Sequence, residues 1–149
     1  MPYTNLIGAG WAVNGAPLLP GGGSIPLGTN YFFVNSVTGG NGNEGTMDAP
    51  FATLAYAISK CVASSGYIII LMAGHAETIS SNATLAFNVA GIQIVGLGTG
   101  ASRPTFTFDT ANTNRIAVTA ANVKISGCVF IGNFLSIATL FLVGAAPGF

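Results

Sequence analysis

The spacing of hydrophobic residues along the chain changes once, close to Gly66. Before this glycine, one segment has the three-and-four spacing of an amphipathic helix. Its apolar stripe consists of Phe51, Leu54, Ala55, Ile58 and Val62. After the glycine, apolar residues come in short bursts separated by small polar turns, which is typical of strands. The pattern therefore predicts one helix followed by a series of strands.

The predicted helix has start and stop signals on both sides. Asp48 is the candidate N-cap, and Pro50 fits the first turn, where its missing N–H costs nothing. The sequence "SSG" ends the helix, with Gly66 as a left-handed stop.

Ten segments have the composition of strands. The first is Tyr31 to Asn35, and the bursts after Gly66 are "YIIILM", "ETIS", "TLAFNV", "IQIVG", "PTFTF", "RIAVT", "VKISG", "VFIG" and "TLFLV". Valine, isoleucine, threonine and phenylalanine dominate them, as expected of residues that pack on a pleated surface.

The bursts repeat in groups of three, which predicts a solenoid. The three series are Ile68, Ile92, Val123; Thr78, Thr105, Val129; and Leu85, Ile116, Leu140. A rival register places Ile68, Ile92, Ile116 and Leu140 in one column. The first grouping is preferred because "GIQIVG" and "NVKISG" then share their flanking turn residues.

A stack of about three coils exposes a hydrophobic end that a cap must cover. We expect the helix of Phe51 to Val62 to lie across the N-terminal end of the stack. The glycine- and asparagine-rich run of Gly39 to Gly45 would then be the turn that brings the chain back over this end. The fold predicted for residues 31–149 is all-β, with this one capping helix.

Residues 1–30 are predicted to be an extended arm, because glycine and proline exclude a helix there. The arm carries large apolar anchors at Tyr3, Leu6, Ile7, Trp11, Leu18 and Leu19. These residues can order on a partner surface, with Trp11 as a hot spot, or pack along the stack of their own chain. The partner is the preferred interpretation.

Charge is scarce in this sequence. The chain of 149 residues has four basic and four acidic residues, or 5%, against a usual share of roughly 25%. So little charge indicates a surface that is largely covered by partners, and a neutral chain lacks the basic footprint of a nucleic-acid-binding protein. Cys61 and Cys128 lie in apolar surroundings and are expected to be buried free thiols.

A membrane span between Ile125 and Phe149 is possible by length alone, since this stretch is uncharged. It is disfavoured because Gly127, Gly132 and Asn133 interrupt it and because no Lys or Arg follows it.

The order of these segments resembles the opening of right-handed parallel β-helix proteins of the pectin-lyase-like group. The matching stretches are "YFFVNSVTGGNGNEGTMDAPFATLAYAI", "GYIIILMAGHAETI", "GIQIVGLGTGASRPTF" and "NVKISGCVFIG". In that group, G-N-x-x-G-T followed by P-F-x-T-x-x-x-A-I precedes the capping helix. The resemblance covers roughly residues 31–143, and its more specific part is Pro50-Phe51-x-Thr53 with Ala57-Ile58.

The resemblance implies two functions. The group includes polysaccharide lyases and hydrolases, and also bacteriophage tailspikes, head fibres and capsid decoration proteins. An uncharged arm without a secretion signal favours a virion protein, made in the host cytoplasm and attached to capsid or tail proteins. Such a protein is expected to be a homo-oligomer, for example a trimer. The alternative is the N-terminal part of a glycan-degrading tailspike whose active site lies outside these residues.

Members of the group usually have many more coils, and an apolar edge at Leu140 to Val143 would face water. We therefore expect a longer polypeptide or a partner that covers this edge.

Catalytic chemistry is not expected in this segment. Glycoside hydrolysis needs two carboxyls beside the bond, and the sequence offers Glu44, Asp48, Glu77 and Asp109. The last two fall on different turns. His75 and Glu77 alone make no metal site, so no metal or cofactor is expected. The glycines of "GLGTGASRP" are interpreted as a tight corner, since no helix follows them to make a phosphate loop.

Overall fold

A computed structural model describes residues 12–13, 16–17, 30–80, 84–109, 113–133 and 139–144. It contains twelve short strands, one α-helix and one 3₁₀ turn in these ranges. The strands are β1 (Ala12–Val13), β2 (Ala16–Pro17), β3 (Tyr31–Val34), β4 (Ile68–Leu71), β5 (Ala76–Ile79), β6 (Thr84–Phe87), β7 (Gln93–Gly96), β8 (Thr105–Phe108), β9 (Arg115–Val118), β10 (Lys124–Ser126), β11 (Val129–Gly132) and β12 (Phe141–Val143). The helix α1 is Leu54–Lys60, and the 3₁₀ turn η1 is Gly100–Ser102.

The strand predictions are confirmed. Each of the nine bursts after Gly66 corresponds to one of the strands β4 to β12, although β5 begins one residue before its burst, at Ala76. The first predicted strand is β3, which ends at Val34 rather than Asn35. The pair β1–β2, which is antiparallel, was not predicted within the arm. The corner "GLGTGASRP" contains η1, a 3₁₀ turn too short to be the helix of a phosphate loop.

From β4 onward, successive strands belong in turn to three different parallel sheets. The sheet orders are β10-β7-β4-β3, β11-β8-β5 and β12-β9-β6. Each strand from β4 to β9 therefore pairs with the strand three places further along the chain and not with the next one. The described chain is mostly β, and its parallel sheets are built by a three-strand repeat.

The preferred grouping of the bursts is confirmed at the level of sheets. Leu85 pairs with Ile116 as expected, although Ile116 pairs next with Phe141 rather than Leu140. Ile68 pairs with Gln93, one residue beyond the expected Ile92. The rival register is wrong, because the strand of Ile116 pairs with β6 and β12 and not with β7.

One apolar interior lies between the three sheets. It takes side chains from the strands β3 to β11, such as the alternate residues Ile69 and Leu71 of β4, because successive side chains of a strand point to opposite faces. Phe87, Phe106 and Phe108 are fully buried there and supply much of its volume. Burial of such rings is the main favourable term that holds the stack together.

A tight corner repeats between two coils at Gly96 and Gly127. A Cβ atom built on Gly96 would lie 2.5 Å from the carbonyl oxygen of Gly127, and Gly127 has a φ of +74°. Glycine is needed at both positions for close backbone approach. The shared turn residues that favoured the correct grouping therefore have a steric reason.

Helix α1 begins later than predicted. Its N-cap is Thr53, whose hydroxyl accepts a hydrogen bond from the Tyr56 N–H. Asp48 is therefore not the N-cap, and Asp48, Pro50 and Phe51 all precede the helix. Phe51 instead forms a parallel bridge with Val34.

The helix also ends earlier than predicted, at Lys60. Its C-cap is Cys61, whose N–H donates to the carbonyl of Ile58. Val62 lies beyond the end and is 61% exposed, so it is not part of the buried stripe. Gly66 has the expected left-handed backbone, but it turns the chain into β4 rather than capping the helix.

The stretch Ile125 to Phe149 contains most of β10 and all of β11 and β12. In the part of the chain that the structure describes, no helix has the length and apolar character needed to cross a membrane.

Candidate functional site

The N-terminal end of the stack is closed by a cap that comprises the loop 39–53 and helix α1. The buried side of α1 consists of Leu54, Ala57 and Ile58, whereas Ala55, which was predicted to join it, is exposed. The helix packs against β3, β4 and β6, so it reaches two of the three sheets. The expectation that this helix lies over the first coil agrees with these contacts.

Phe51 connects the cap to the first sheet. Its N–H donates to the Phe33 carbonyl at 2.9 Å, and its carbonyl accepts from the Asn35 N–H at 2.9 Å. The ring is 3% exposed, with ring centroids 5.2 Å from Phe32 and 5.1 Å from Tyr56. Phe51 therefore covers the edge of β3 with both its backbone and its side chain, and sheet edges need such protection.

Asparagine side chains hold the polar loop in place. The Asn41 Oδ1 accepts from the N–H groups of Ala52 and Thr53 at 3.1 and 3.2 Å, and its Nδ2 donates to the Thr53 hydroxyl. The Asn43 Nδ2 donates to the carbonyl of Pro50 at 2.9 Å. The run before the helix is therefore a bonded part of the cap, and Asn41 satisfies backbone donors at the helix start.

Two glycines of the same loop are required by close packing. A Cβ atom on Gly39 would collide with the carbonyl oxygens of Asn35 and Phe51. Gly45 has a φ of +77°, and a Cβ atom there would lie 2.5 Å from the Phe51 ring. Gly42, by contrast, faces open space.

Glu77 joins the cap to the first coil. Its Oε1 accepts the N–H of Leu54, the first residue of α1, at 2.6 Å and lies 2.8 Å from the Nε2 of His75. A carboxylate can only accept, so the imidazole Nε2 donates. The helix end carries partial positive charge, which favours a carboxylate at this point. Glu77 thus fastens both the helix and a buried histidine.

His75 is fully buried beneath this contact. Its backbone N–H donates to the carbonyl of Met72, and its carbonyl accepts from the Thr105 N–H at 2.9 Å. The ring lies 5.7 Å from that of Phe106, and its Nδ1 has no hydrogen-bond partner among the described residues. His75 lies at the corner between β4 and β5, but its side chain is in the core, whereas the neighbouring Ala73 and Gly74 are exposed.

Three of the four carboxylates singled out in the sequence have defined positions in the cap and its loop. Glu44 and Asp48 are exposed in the loop, and Glu77 is bound to the helix start. Within the described ranges, no group of three or more His, Cys, Asp or Glu side chains could hold a metal ion. The carboxylate of Glu77 has a structural role, because it binds a backbone N–H and an imidazole N–H.

Cys61 and Cys128 are free and half-buried. Burial raises the pKa of each thiol to about 11. The expectation of free thiols is confirmed for this pair, although neither is completely enclosed.

Of the residues singled out in the sequence, the structure brings Phe51, Leu54 and Ile58 together in the cap and leaves Asp48 and Val62 exposed. The arm anchors Tyr3, Leu6, Ile7, Trp11, Leu18 and Leu19 lie outside the described residues. Sequence reasoning missed the roles of Thr53, Asn41 and Glu77. Thr53 had a signal, since it is the threonine of the P-F-x-T pattern and threonine is a preferred N-cap.

Comparison of the chain with models of protein families, with curated proteins and with solved structures finds no match.

Proposed function

We propose that the chain is a structural component of a bacteriophage virion, attached to capsid or tail proteins through residues 1–30. The observation that carries the proposal is the arrangement at one end of the three-strand repeat. The cap covers the edge of β3, and the arm leaves from this same end, because Asn30 directly precedes β3. The cap and the attachment arm are therefore at the same end of the repeat. This arrangement suits a fibre or decoration protein that projects from a particle.

The parallel sheets support the finer proposal of a right-handed β-helix. β4 and β7 are parallel neighbours in one sheet, and the chain between them passes through the other two sheets as β5 and β6. Crossovers between parallel strands of one sheet are right-handed in nearly all proteins. The quoted resemblance is also consistent with the cap, since Phe51 and Thr53 of its pattern both have defined roles there.

Exposed apolar side chains support an assembled state. Ile131, Phe141, Leu142 and Val143 are 42 to 56% exposed on the last strands of two sheets. Clusters of exposed apolar residues mark surfaces for other proteins. With 5% charged residues, the chain has little repulsion to oppose contact with further copies of itself. A homo-oligomer, for example a trimer, is therefore part of the proposal.

The positions of three carboxylates favour a structural role. Glu77 is bound by the helix start and by His75, and its substitution would loosen the cap. Glu44 and Asp48 lie in an exposed loop rather than in a cleft. These three carboxylates do not form the pair of facing carboxyls that glycan hydrolysis needs.

The test is made on purified phage particles by quantitative mass spectrometry. The full chain and a variant without residues 1–30 are each supplied to particles that lack their own copy. We expect the full chain at a fixed ratio to the major capsid protein, and the shortened variant to be missing from particles while keeping its β-type circular dichroism. Particles without the full chain would overturn the virion role, and equal incorporation of both forms would overturn attachment by the arm.

A further inference from the structure

The strand β4 is buried on both of its faces. Ile69 and Leu71 point into the interior, whereas Ile68 and Ile70 point to the outer face of their sheet. Ile68 and Ile70 are nevertheless each only 1% exposed. Parallel sheets are found with both faces covered, and a strand that is apolar throughout is typical of this situation.

The surroundings of these two residues form a continuous apolar surface. We call it the outer apolar face, and it consists of Tyr31, Phe33, Ile68, Ile70, Val95 and Leu97. The register places Ile70 between Phe33 and Val95 on the neighbouring strands. Neighbours about 5 Å to either side shield the flanks of a side chain but leave its tip open. Exposure of 1% therefore points to a further layer over the sheet.

The described hydrophobic residues packed against Ile68 and Ile70 are those of the face itself. The segment that enters at this place is residues 1–29, because Asn30 leads directly into β3, the edge strand of the sheet. Four strands span roughly 15 Å, and an extended chain advances about 3.3 Å per residue. The arm is therefore long enough to cross the sheet more than once.

The chemistry of the arm matches that of the face. Residues 1–29 contain no charged side chain, and they carry Tyr3, Leu6, Ile7, Trp11, Leu18 and Leu19. The face is also uncharged, and Lys124 lies beyond it on the far edge strand, in line with Gln93 and Ile68. Removing both apolar surfaces from water would stabilise their contact.

We propose that the arm of the same chain docks on the outer apolar face and covers Ile68 and Ile70. The proposal is independent of the virion role, since it concerns the free chain. It also has a consequence for that role, because an arm that is bound to its own sheet must leave it before the same side chains can bind a particle.

The direct test is photo-crosslinking in the full chain, with Phe33 replaced by p-benzoylphenylalanine. Unlabelled and ¹⁵N-labelled chains are mixed under denaturing conditions, refolded together, irradiated and analysed by mass spectrometry. We expect crosslinks from position 33 to residues 1–29, formed only between peptides with the same label. Crosslinks confined to residues 31–149, or pairs of mixed label that show the arm of a second copy, would overturn the proposal.

The only tryptophan of the chain, Trp11, supplies a second measurement without a probe. If the arm docks, the emission of Trp11 in the full chain should be blue-shifted, and its indole should be protected from quenching by iodide. The variant Val95→Ser, on the face, should shift the emission to the red and increase quenching several-fold. The control Val37→Ser, at a residue that is 82% exposed, should change neither. If Trp11 instead emits like a water-exposed indole, with the same spectrum in both variants, docking is contradicted.

Discussion

The carboxylate of Glu77 accepts the backbone N–H of Leu54 at 2.6 Å, across 23 residues of sequence. This contact joins the first turn of the only described α-helix to the first strand of the second sheet. Oε1 of the same carboxylate also lies 2.8 Å from Nε2 of the buried His75. One oxygen atom therefore fixes both the cap and a residue of the core.

Removal of this oxygen should destabilise the protein. Glu77→Ala leaves two buried donors without an acceptor, which costs about 1–3 kcal/mol of unfolding free energy for each such group. Glu77→Gln can keep an oxygen at the same place and should cost less. Guanidinium unfolding followed by circular dichroism measures both values.

The matched control for Glu77 is Glu44→Ala, which removes an exposed carboxylate of the loop. Its unfolding free energy should stay within about 0.5 kcal/mol of the wild type. An equal loss in Glu44→Ala and Glu77→Ala would show that charge, rather than the contact with Leu54, is what matters.

Two residues, Thr53 and Asp48, are candidates for the N-cap, and their substitution by alanine should have different effects. Thr53→Ala removes the acceptor for the Tyr56 N–H and should cost about 1 kcal/mol. Asp48→Ala should have almost no effect, because Asp48 lies outside the helix in an exposed turn. Thermal melting of the two variants tests this, and a larger loss in Asp48→Ala would restore the cap predicted from the sequence.

Two glycines of one loop should respond in opposite directions to alanine. Gly39→Ala pushes a methyl group into the carbonyls of Asn35 and Phe51 and should cost roughly 1–3 kcal/mol. Gly42→Ala meets open space and should be neutral or stabilise by up to about 1 kcal/mol, because it restricts the unfolded chain. Equal melting temperatures for the two variants would contradict the packing of this loop.

Because of the two half-buried thiols, the stability of the folded protein should decrease at alkaline pH. Their pKa is about 11 in the folded protein, against 9.0 as the ordinary value. Between these values the unfolded chain loses thiol protons that the folded chain keeps, so stability should fall as pH rises from about 9 to about 11. The loss should be smaller in the double variant Cys61→Ala, Cys128→Ala when unfolding midpoints are compared at pH 8 and pH 10. An identical decline in both proteins would assign it to other groups.

The strands could be predicted from sequence because their information is local. Each burst, such as Ile68 to Leu71, has its own β-branched composition and is bounded by turn residues. The grouping into three sheets was also accessible, since corners such as Gly96 and Gly127 repeat with their strands.

The ends of the helix could not be predicted from local sequence in the same way. Pro50 and Phe51 have the spacing and composition of a first turn, but a pairing with Val34, distant in sequence, takes Phe51 into a bridge. The role of Glu77 depends on Leu54, which no local pattern connects with it. The loop glycines were predicted only as part of a turn, whereas Gly39 is needed for close approach of two backbone carbonyls.

The central claim is that each strand from β4 to β9 pairs with the strand three places further along the chain. NMR on ¹⁵N,¹³C-labelled protein tests it through nuclear Overhauser contacts of Ile94, whose register partners are Ile69 and Ile125. We expect backbone contacts from Ile94 to both residues, in the pattern of parallel strands. Contacts that instead pair β7 with β8 in an antiparallel hairpin would contradict the stack and the cap built on it.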